Sequence, residues 1–250
     1  MSQRYDHRAA ALQLTRSTLA TTPWTLAVFD NQAMVDPHNQ LHVYLEGDGT
    51  PWHANVPSAD PTPRRPIALE LVAADPYRAV LLGRPCYHGE PPTPHCSQKQ
   101  WTSQRYSVEV VDSLAQATRS LMQGGDFNAA VLIGYSGGGT LAHMVATRLE
   151  HVAAVITVGA NLDTDAWTAH HNYLSLTGSV NPTRSDRLDS TIRQWHYIGA
   201  NDTVVPPQTR AAFFDRHTNA NNAVIEGFGH VCCWVTDWPT LLERALKTAP

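Results

Sequence analysis

The chain has 250 residues, of which 42% are hydrophobic and 16% are charged, so it can form a soluble globular core. A net charge of −4 gives no reason to expect nucleic acid or an anionic membrane surface as a partner. No apolar run reaches the length of a membrane span, and with neither linker nor internal repeat we predict a single domain over residues 1–250.

The predicted elements alternate between strands and helices after an initial hairpin. Two strands, Thr15 to Leu19 and Trp24 to Phe29, form an antiparallel pair at a sheet edge. The other predicted strands are 41–45, 79–82, 129–133, 152–158, 195–198 and 223–226. Predicted helices are 8–14, 67–73, 207–217 and 241–247, and a further helix follows residue 136. A long predicted helix is capped by Ser103 and ended by Gly124-Gly125. This alternation predicts an α/β fold with a mainly parallel central sheet and helices on both faces. In such sheets the functional side chains lie beyond the carboxyl ends of the strands.

One stretch has a strong local pattern, the sequence Gly134-Tyr135-Ser136-Gly137-Gly138. An apolar run from Ala129 to Ile133 precedes it, and helical spacing follows it, so the order is strand, tight turn and helix. A strained turn of this kind holds the serine hydroxyl above the sheet edge, beside the free N–H groups of a helix start. By itself the pattern also fits a glycine-rich loop with a surface serine.

Three more candidates follow other strands: the Gly47-Asp48 loop, Asp202 and His230. With Ser136, they give the chain a resemblance to the α/β-hydrolases that covers nearly its whole length. The resemblance implies an α/β-hydrolase fold without a large separate cap domain. It also implies that Ser136 is the nucleophile, Asp202 the orienting acid and His230 the general base, since they occur in the chain order of that fold.

Competing assignments exist for the acid and the base. Asp163 or Asp165 could supply the acid from the preceding strand, and Asp202 could be a turn residue that bonds its own backbone. His230 stands in a Gly-Phe-Gly-His setting after the last predicted strand, which distinguishes it from the other twelve histidines. The pair His170-His171 could bind a metal by composition but lacks a third ligand, so we predict no metal site.

The oxyanion hole should consist of two backbone N–H groups, from Gly137 and from Asp48. Many α/β-hydrolases carry His-Gly in the second position, whereas this chain has Glu46-Gly47-Asp48-Gly49. A carboxylate beside a developing oxyanion opposes catalysis unless it points away or is paired. The Asp48 side chain is expected to have no catalytic role, so Asp48→Asn is expected to cost little.

Cysteine positions suggest one disulfide. Cys86 and Cys96 share an irregular, proline-rich loop from Gly83 to Thr102, which a bridge would brace, and two free thiols in a reducing compartment are the alternative. The adjacent Cys232 and Cys233 fit either a vicinal disulfide or two small buried thiols. No Cys-x-x-Cys spacing typical of zinc sites occurs.

Four segments resemble a group of poorly characterised bacterial α/β-hydrolases that are often exported or lipoprotein-like. The segments begin at Tyr44, Trp101, Leu176 and His230, the last reading His230-x-Cys-Cys-Trp234. The resemblance implies an envelope or periplasmic location if a leader was removed, and a cytoplasmic one otherwise. It implies no substrate.

These observations predict a serine hydrolase that cleaves a small-molecule acyl ester through an acyl-Ser136 intermediate, without a cofactor. Substrate contacts are expected from Gly47, Trp52, Tyr135 and Trp167, with the irregular segment 161–190 above them, although each residue alone fits ordinary packing. The same triad would serve an acyltransferase or a peptidase, and a binding protein that lost catalysis is a further alternative. The sequence indicates neither the substrate nor the oligomeric state.

Overall fold

A computed structural model describes residues 1–90 and 93–247. Within these residues, eight strands form a central sheet in the order β1-β2-β6-β3-β7-β8-β9-β10, and two short strands form a separate hairpin. The strands are β1 Thr15–Ala20, β2 Thr25–Asp30, β3 Gln40–Leu45, β4 Trp52–His53, β5 Val56–Pro57, β6 Ala79–Leu82, β7 Ala129–Tyr135, β8 Val152–Val158, β9 Arg193–Gly199 and β10 Asn221–Ile225. The helices are α1 Ser2–Ala11, α2 Ile67–Ala74, α3 Val108–Gly124, α4 Gly137–Ala146, α5 Thr164–His170, α6 Ala211–Arg216 and α7 Trp234–Lys247.

The sheet is parallel from β6 to β10, and β2 runs antiparallel to both of its neighbours. This confirms the predicted mainly parallel sheet and the antiparallel hairpin at its edge. Helices cover both faces because the central strands are apolar on both sides. On β7, Val131 and Ile133 pack into one core cluster with α1, α2 and α7, whereas Ala130 and Leu132 pack into another with α3 and α4.

Three predicted helix boundaries are wrong. The first helix is Ser2–Ala11 rather than 8–14. Ser107, not Ser103, caps α3, because its hydroxyl accepts a hydrogen bond from Val110 N at 3.4 Å and residues 98–101 form a separate 3₁₀ turn. The last helix begins at Trp234, seven residues before the predicted start at 241, since buried Trp234 and Trp238 extend its apolar face past Pro239.

Two other segments differ from their predicted structure. The helix expected at 207–217 is a 3₁₀ turn, Pro207–Arg210, followed by the short α6. The irregular segment 161–190 contains α5 and a 3₁₀ turn, Pro182–Arg184, and these elements do not amount to a cap domain. None of the described helices is long and apolar enough to cross a lipid bilayer.

Both cysteine pairs are disulfide-bonded. The Cys86–Cys96 bridge confirms the predicted pairing. Its loop includes residues 91–92, which lie outside the described residues. Cys232 and Cys233 form a vicinal disulfide, and both are exposed, so the alternative of two small buried thiols is wrong.

Candidate active site

Ser136 lies on the turn between β7 and α4, with φ 52° and ψ −126°. This conformation is rare for a residue with a side chain and is held by close packing on both sides. A Cβ on Gly134 would lie 2.2 Å from the Gly138 carbonyl oxygen, and one on Gly138 would lie 2.0 Å from the Leu45 carbonyl oxygen. Both glycines are therefore needed for β7, α4 and β3 to approach this closely.

The structure brings Ser136, His230 and Asp202 together from three different strand ends. His230 Nε2 lies 3.1 Å from Ser136 Oγ, and His230 Nδ1 lies 2.8 Å from Asp202 Oδ2. The other Asp202 oxygen accepts hydrogen bonds from the N–H groups of Val204 and Val205 at 2.9 and 2.8 Å. The Asp202 side chain is fully buried, whereas 11% of the His230 side chain remains exposed, so the imidazole can be reached from the cleft.

Two further residues hold the His230 loop and a third leaves room for it, roles that were not predicted from the sequence. The His230 carbonyl accepts hydrogen bonds from the Tyr135 hydroxyl and the Trp234 indole, each at 3.0 Å. Gly159, with φ +59°, leaves room for the pair of His230 and Asp202, since a Cβ there would lie 3.3 Å from His230 Nδ1 and 3.4 Å from Asp202 Oδ2. The sequence offered only one signal for these positions, the His-x-Cys-Cys-Trp segment that contains Trp234.

The two rival acids make their contacts elsewhere. Asp163 caps α5 and accepts hydrogen bonds from Asp165 N, Ala166 N and Asn181 Nδ2 at 2.9–3.1 Å. Asp165 is exposed and forms an ion pair with Arg184 at 2.5 Å. Capping and surface pairing account for both carboxylates, so neither competes with Asp202 for the His230 imidazole.

The neighbouring histidines His170 and His171 are not part of a metal centre in the described part of the chain, where no group of three or more ligating side chains gathers. His171 Nε2 lies 3.0 Å from the Val204 carbonyl oxygen, and its ring stacks on Tyr173 with centroids 5.1 Å apart. His170 is the last residue of α5 and His171 follows it, so both belong to the irregular segment 161–190.

The Asp48 carboxylate is enclosed by cationic and hydroxyl donors. It accepts hydrogen bonds from Arg84 at 2.6 Å, Arg105 at 2.8 Å and the Tyr106 hydroxyl at 2.6 Å. Burial alone would raise the pKa of Asp48, but the Arg105 and Arg84 charges outweigh burial and hold it well below its usual range. Asp48 is thus a paired carboxylate, the condition under which an acid beside an oxyanion does not oppose catalysis.

This cluster argues for a larger cost of Asp48→Asn than the sequence suggested. Arg84 is 1% exposed and Arg105 nearly as buried, so their charges depend on the Asp48 carboxylate. The carboxylate also packs against the turn after the serine, because a Cβ on Gly137 would lie 2.1 Å from Asp48 Oδ1. The Tyr87 hydroxyl donates to the Asp48 carbonyl at 3.0 Å and so fixes the backbone of the loop.

Glu46 decides which N–H groups of the loop stay free. Its carboxylate accepts hydrogen bonds from Gly47 N at 2.9 Å and from the Tyr5 hydroxyl at 2.7 Å, and burial raises its pKa to about 7. The Gly47 N–H is therefore already bonded. Within residues 1–90 and 93–247 we find no acceptor for the N–H groups of Asp48 and Gly137, and both residues line the cleft.

Ser136 opens into a cleft of about 1250 Å³. All four predicted substrate contacts, Gly47, Trp52, Tyr135 and Trp167, line it. The Trp167 indole donates to the Val204 carbonyl at 2.7 Å, whereas Trp52 on β4 is 43% exposed at the mouth. Residues 172–177 of the irregular segment form part of the wall, as their position in the sequence suggested.

Comparison with known proteins identifies a matching family and several similar folds. A family model described as serine hydrolase (FSH1) matches residues 86–232, more than half of the chain. No curated protein matches the chain.

The similar solved structures have low sequence identity. An α/β serine hydrolase without lid from Xanthomonas campestris is 12% identical, with a TM-score of 0.60 over 95% of this chain and 97% of that one. A Pyrococcus furiosus esterase is 14% identical, with a TM-score of 0.64 over 95% and 91%. A proline iminopeptidase-related protein from Thermus thermophilus is 12% identical, with a TM-score of 0.65 over 93% and 97%. These likenesses confirm the expected α/β-hydrolase fold and, at such identities, nothing finer.

Proposed function

The chain belongs to the FSH1 serine hydrolase family, and from this premise we propose that it hydrolyses a carboxylic ester of a small molecule through an acyl-Ser136 intermediate. One observation carries the proposal: the unbroken contact from Ser136 Oγ to His230 Nε2 and from His230 Nδ1 to buried Asp202. A serine hydroxyl is a weak nucleophile until a positioned base takes its proton, and this arrangement provides that base.

In the proposed first half-reaction, Ser136 Oγ attacks the ester carbonyl carbon while His230 Nε2 accepts the hydroxyl proton. Asp202 holds the imidazole through Nδ1 and stabilises the imidazolium that forms. The tetrahedral intermediate collapses when His230 returns the proton to the leaving alcohol oxygen, which leaves the acyl group on Ser136. A water molecule then repeats the sequence, with His230 as its base, and releases the acid.

The N–H groups of Gly137 and Asp48 are the proposed oxyanion donors. Both border the cleft and neither has an acceptor within the described residues, whereas the Gly47 N–H is bonded to Glu46. The hydrogen bonds from Arg84 and Arg105 hold the Asp48 side chain and so support the position of this donor. The departure from the common His-Gly pattern is thus compatible with catalysis.

A panel of p-nitrophenyl esters from acetate to laurate tests the proposal, with wild type and Ser136→Ala assayed side by side. We expect turnover of at least one ester by wild type and none above background by Ser136→Ala, which should remain folded by circular dichroism. An alcohol acceptor added to the same assay separates hydrolysis from acyl transfer by the product formed. Similar turnover in both proteins would contradict an ester hydrolase that uses Ser136.

A further inference from the structure

The charge around Ser136 is unbalanced, although the net charge of the chain is negative. Three arginines line the cleft, Arg64, Arg65 and Arg105, together with two acids, Glu46 and Asp48. Asp48 is already shared between Arg105 and the more deeply buried Arg84. The Glu46 carboxylate is bonded to a tyrosine hydroxyl and a backbone N–H, and it is 1% exposed. Neither acid is therefore available to the two remaining arginines.

Arg64 and Arg65 are the two cleft arginines that neither Glu46 nor Asp48 binds. Both side chains are exposed, on the loop between β5 and α2, and neither forms an ion pair with any carboxylate of residues 1–90 and 93–247. Arg65 acts on the residue next to Ser136: burial raises the pKa of Tyr135, and the Arg65 charge opposes that rise. Both arginines thus line the cleft, and Arg65 lies within electrostatic reach of the residue that precedes the nucleophile.

Another part of the lining is apolar. Trp167, Leu174, Leu176, Val204 and Val205 all border the cleft, and Leu174 is 90% exposed. A ligand that fits the cleft therefore meets hydrocarbon at this wall and uncompensated positive charge at the arginine pair. A neutral, fully apolar ester would leave the two guanidinium groups without a partner.

We propose that the substrate is an ester that carries an anionic oxyacid group, a carboxylate or a phosphate, held by Arg64 and Arg65 while its apolar part packs on the Trp167 wall. This inference rests on the proposed function for its reaction and on the cleft for its specificity. Arginine suits the role because its planar fork donates two parallel hydrogen bonds to carboxylate and phosphate oxygens. The local positive charge also attracts such a substrate to a protein of net negative charge.

The test compares two esters that differ in one charge, p-nitrophenyl hydrogen glutarate and its neutral analogue p-nitrophenyl methyl glutarate. We expect the ratio of their kcat/KM values to favour the anion by about tenfold or more, the range of a charge-assisted hydrogen bond, and to fall as salt is added. The double variant Arg64→Gln with Arg65→Gln should bring the ratio close to one. Arg4→Gln, which removes one positive charge from an exposed arginine outside the cleft, should keep the wild-type ratio.

Competition assays distinguish the two oxyacids. Stronger inhibition by glutarate would identify a carboxylate, and stronger inhibition by inorganic phosphate would identify a phosphate. A wild-type ratio near one, or a ratio that the double variant leaves unchanged, would overturn the inference.

Binding to Ser136→Ala protein separates this inference from the reaction itself. Calorimetry should show tighter binding of the hydrogen glutarate ester than of the methyl glutarate ester, with the difference lost in the background of the double arginine variant. If no ester is turned over but the anionic one still binds preferentially, the proposed function fails and the anion site stands. Equal binding of the two esters overturns the anion site, whatever the kinetics show.

Discussion

The molecule contains two histidine–aspartate pairs that look alike in isolation. His230 Nδ1 lies 2.8 Å from Asp202, and His42 Nδ1 lies 2.7 Å from Asp75. Each aspartate is fully buried and accepts further hydrogen bonds, from backbone N–H groups at Asp202 and from the Tyr44 hydroxyl at Asp75. The carboxylate side of the two pairs is therefore nearly the same.

The difference lies at the second ring nitrogen. His230 Nε2 faces the Ser136 hydroxyl at the edge of an open cleft, whereas His42 is 0% exposed and its Nε2 has no hydrogen-bond partner within the described residues. The Trp238 indole donates to the Tyr44 hydroxyl at 2.8 Å and links the His42 pair to α7. A histidine–carboxylate pair thus becomes a candidate base only where its other nitrogen meets a nucleophile that a substrate can reach.

Replacing the aspartate of each pair should give opposite results. Asp202→Asn should lower kcat by about three to four orders of magnitude, because the amide favours the wrong imidazole tautomer, with little change in stability. Asp75→Asn should lower stability, because it disturbs a buried network, while the folded protein keeps its kcat. Ester kinetics and urea unfolding on both variants measure the contrast.

Asp163→Asn serves as the control for the acid assignment. Asparagine keeps a side-chain oxygen that can cap α5, so this variant should change stability little and have only a mild effect on kcat. A thousandfold loss of kcat in Asp163→Asn, with Asp202→Asn active, would show that the acid is Asp163, after the preceding strand β8, and not Asp202.

Asp48→Asn tests whether the contacts of the Asp48 carboxylate position the Asp48 N–H for catalysis. The amide would turn donors toward Arg84 or Arg105, so the loop should shift and misdirect the Asp48 N–H. Loss of one oxyanion donor lowers turnover by about two to three orders of magnitude, and we expect Asp48→Asn near the lower end. Asp30→Asn is the matched control, since it breaks an aspartate–arginine pair, with Arg78, away from the cleft. Equal kcat values in Asp48→Asn and Asp30→Asn would show that the Asp48 cluster supports the fold and not the reaction.

Local patterns in the sequence predicted the sheet, the turn at Ser136 and the position of His230, because strand and helix periodicity and glycine spacing are short-range signals. The triad itself stays a prediction until variants are tested. The Asp48 cluster was missed because its partners, Arg84, Arg105 and Tyr106, lie 36 to 58 residues away in sequence. Ser103 and Ser107 are equally good caps in sequence, and only the 3₁₀ turn before them decides between the two.

Buried histidines that lack a carboxylate partner should make the free energy of unfolding depend on pH. Burial first, and then the His217 charge, lower the pKa of His143 to about 3, and burial likewise lowers the pKa of His196 and His217. The unfolded chain binds these protons near pH 6.5 and the folded one only at lower pH, so these histidines should lower the free energy of unfolding as the pH drops below 6.5.

His143→Phe should weaken that dependence, because it removes one of the groups that bind a proton more readily in the unfolded chain and keeps an aromatic ring in place. The slope should drop by up to about 1.4 kcal/mol per pH unit, the value for one proton. Urea unfolding at pH 7.5, 6 and 5 measures it, with exposed His7 replaced by Phe as the control. An unchanged slope would mean that His143 accepts its proton in the folded protein.

The most direct test of the central claim is the site of covalent labelling by a fluorophosphonate, mapped by peptide mass spectrometry. The account predicts a single adduct on Ser136 of wild type and none in Ser136→Ala. Ser103→Ala, which removes another serine lining the cleft, should be labelled like wild type. Labelling of any other residue, or undiminished labelling of Ser136→Ala, would contradict the assignment of Ser136 as the nucleophile.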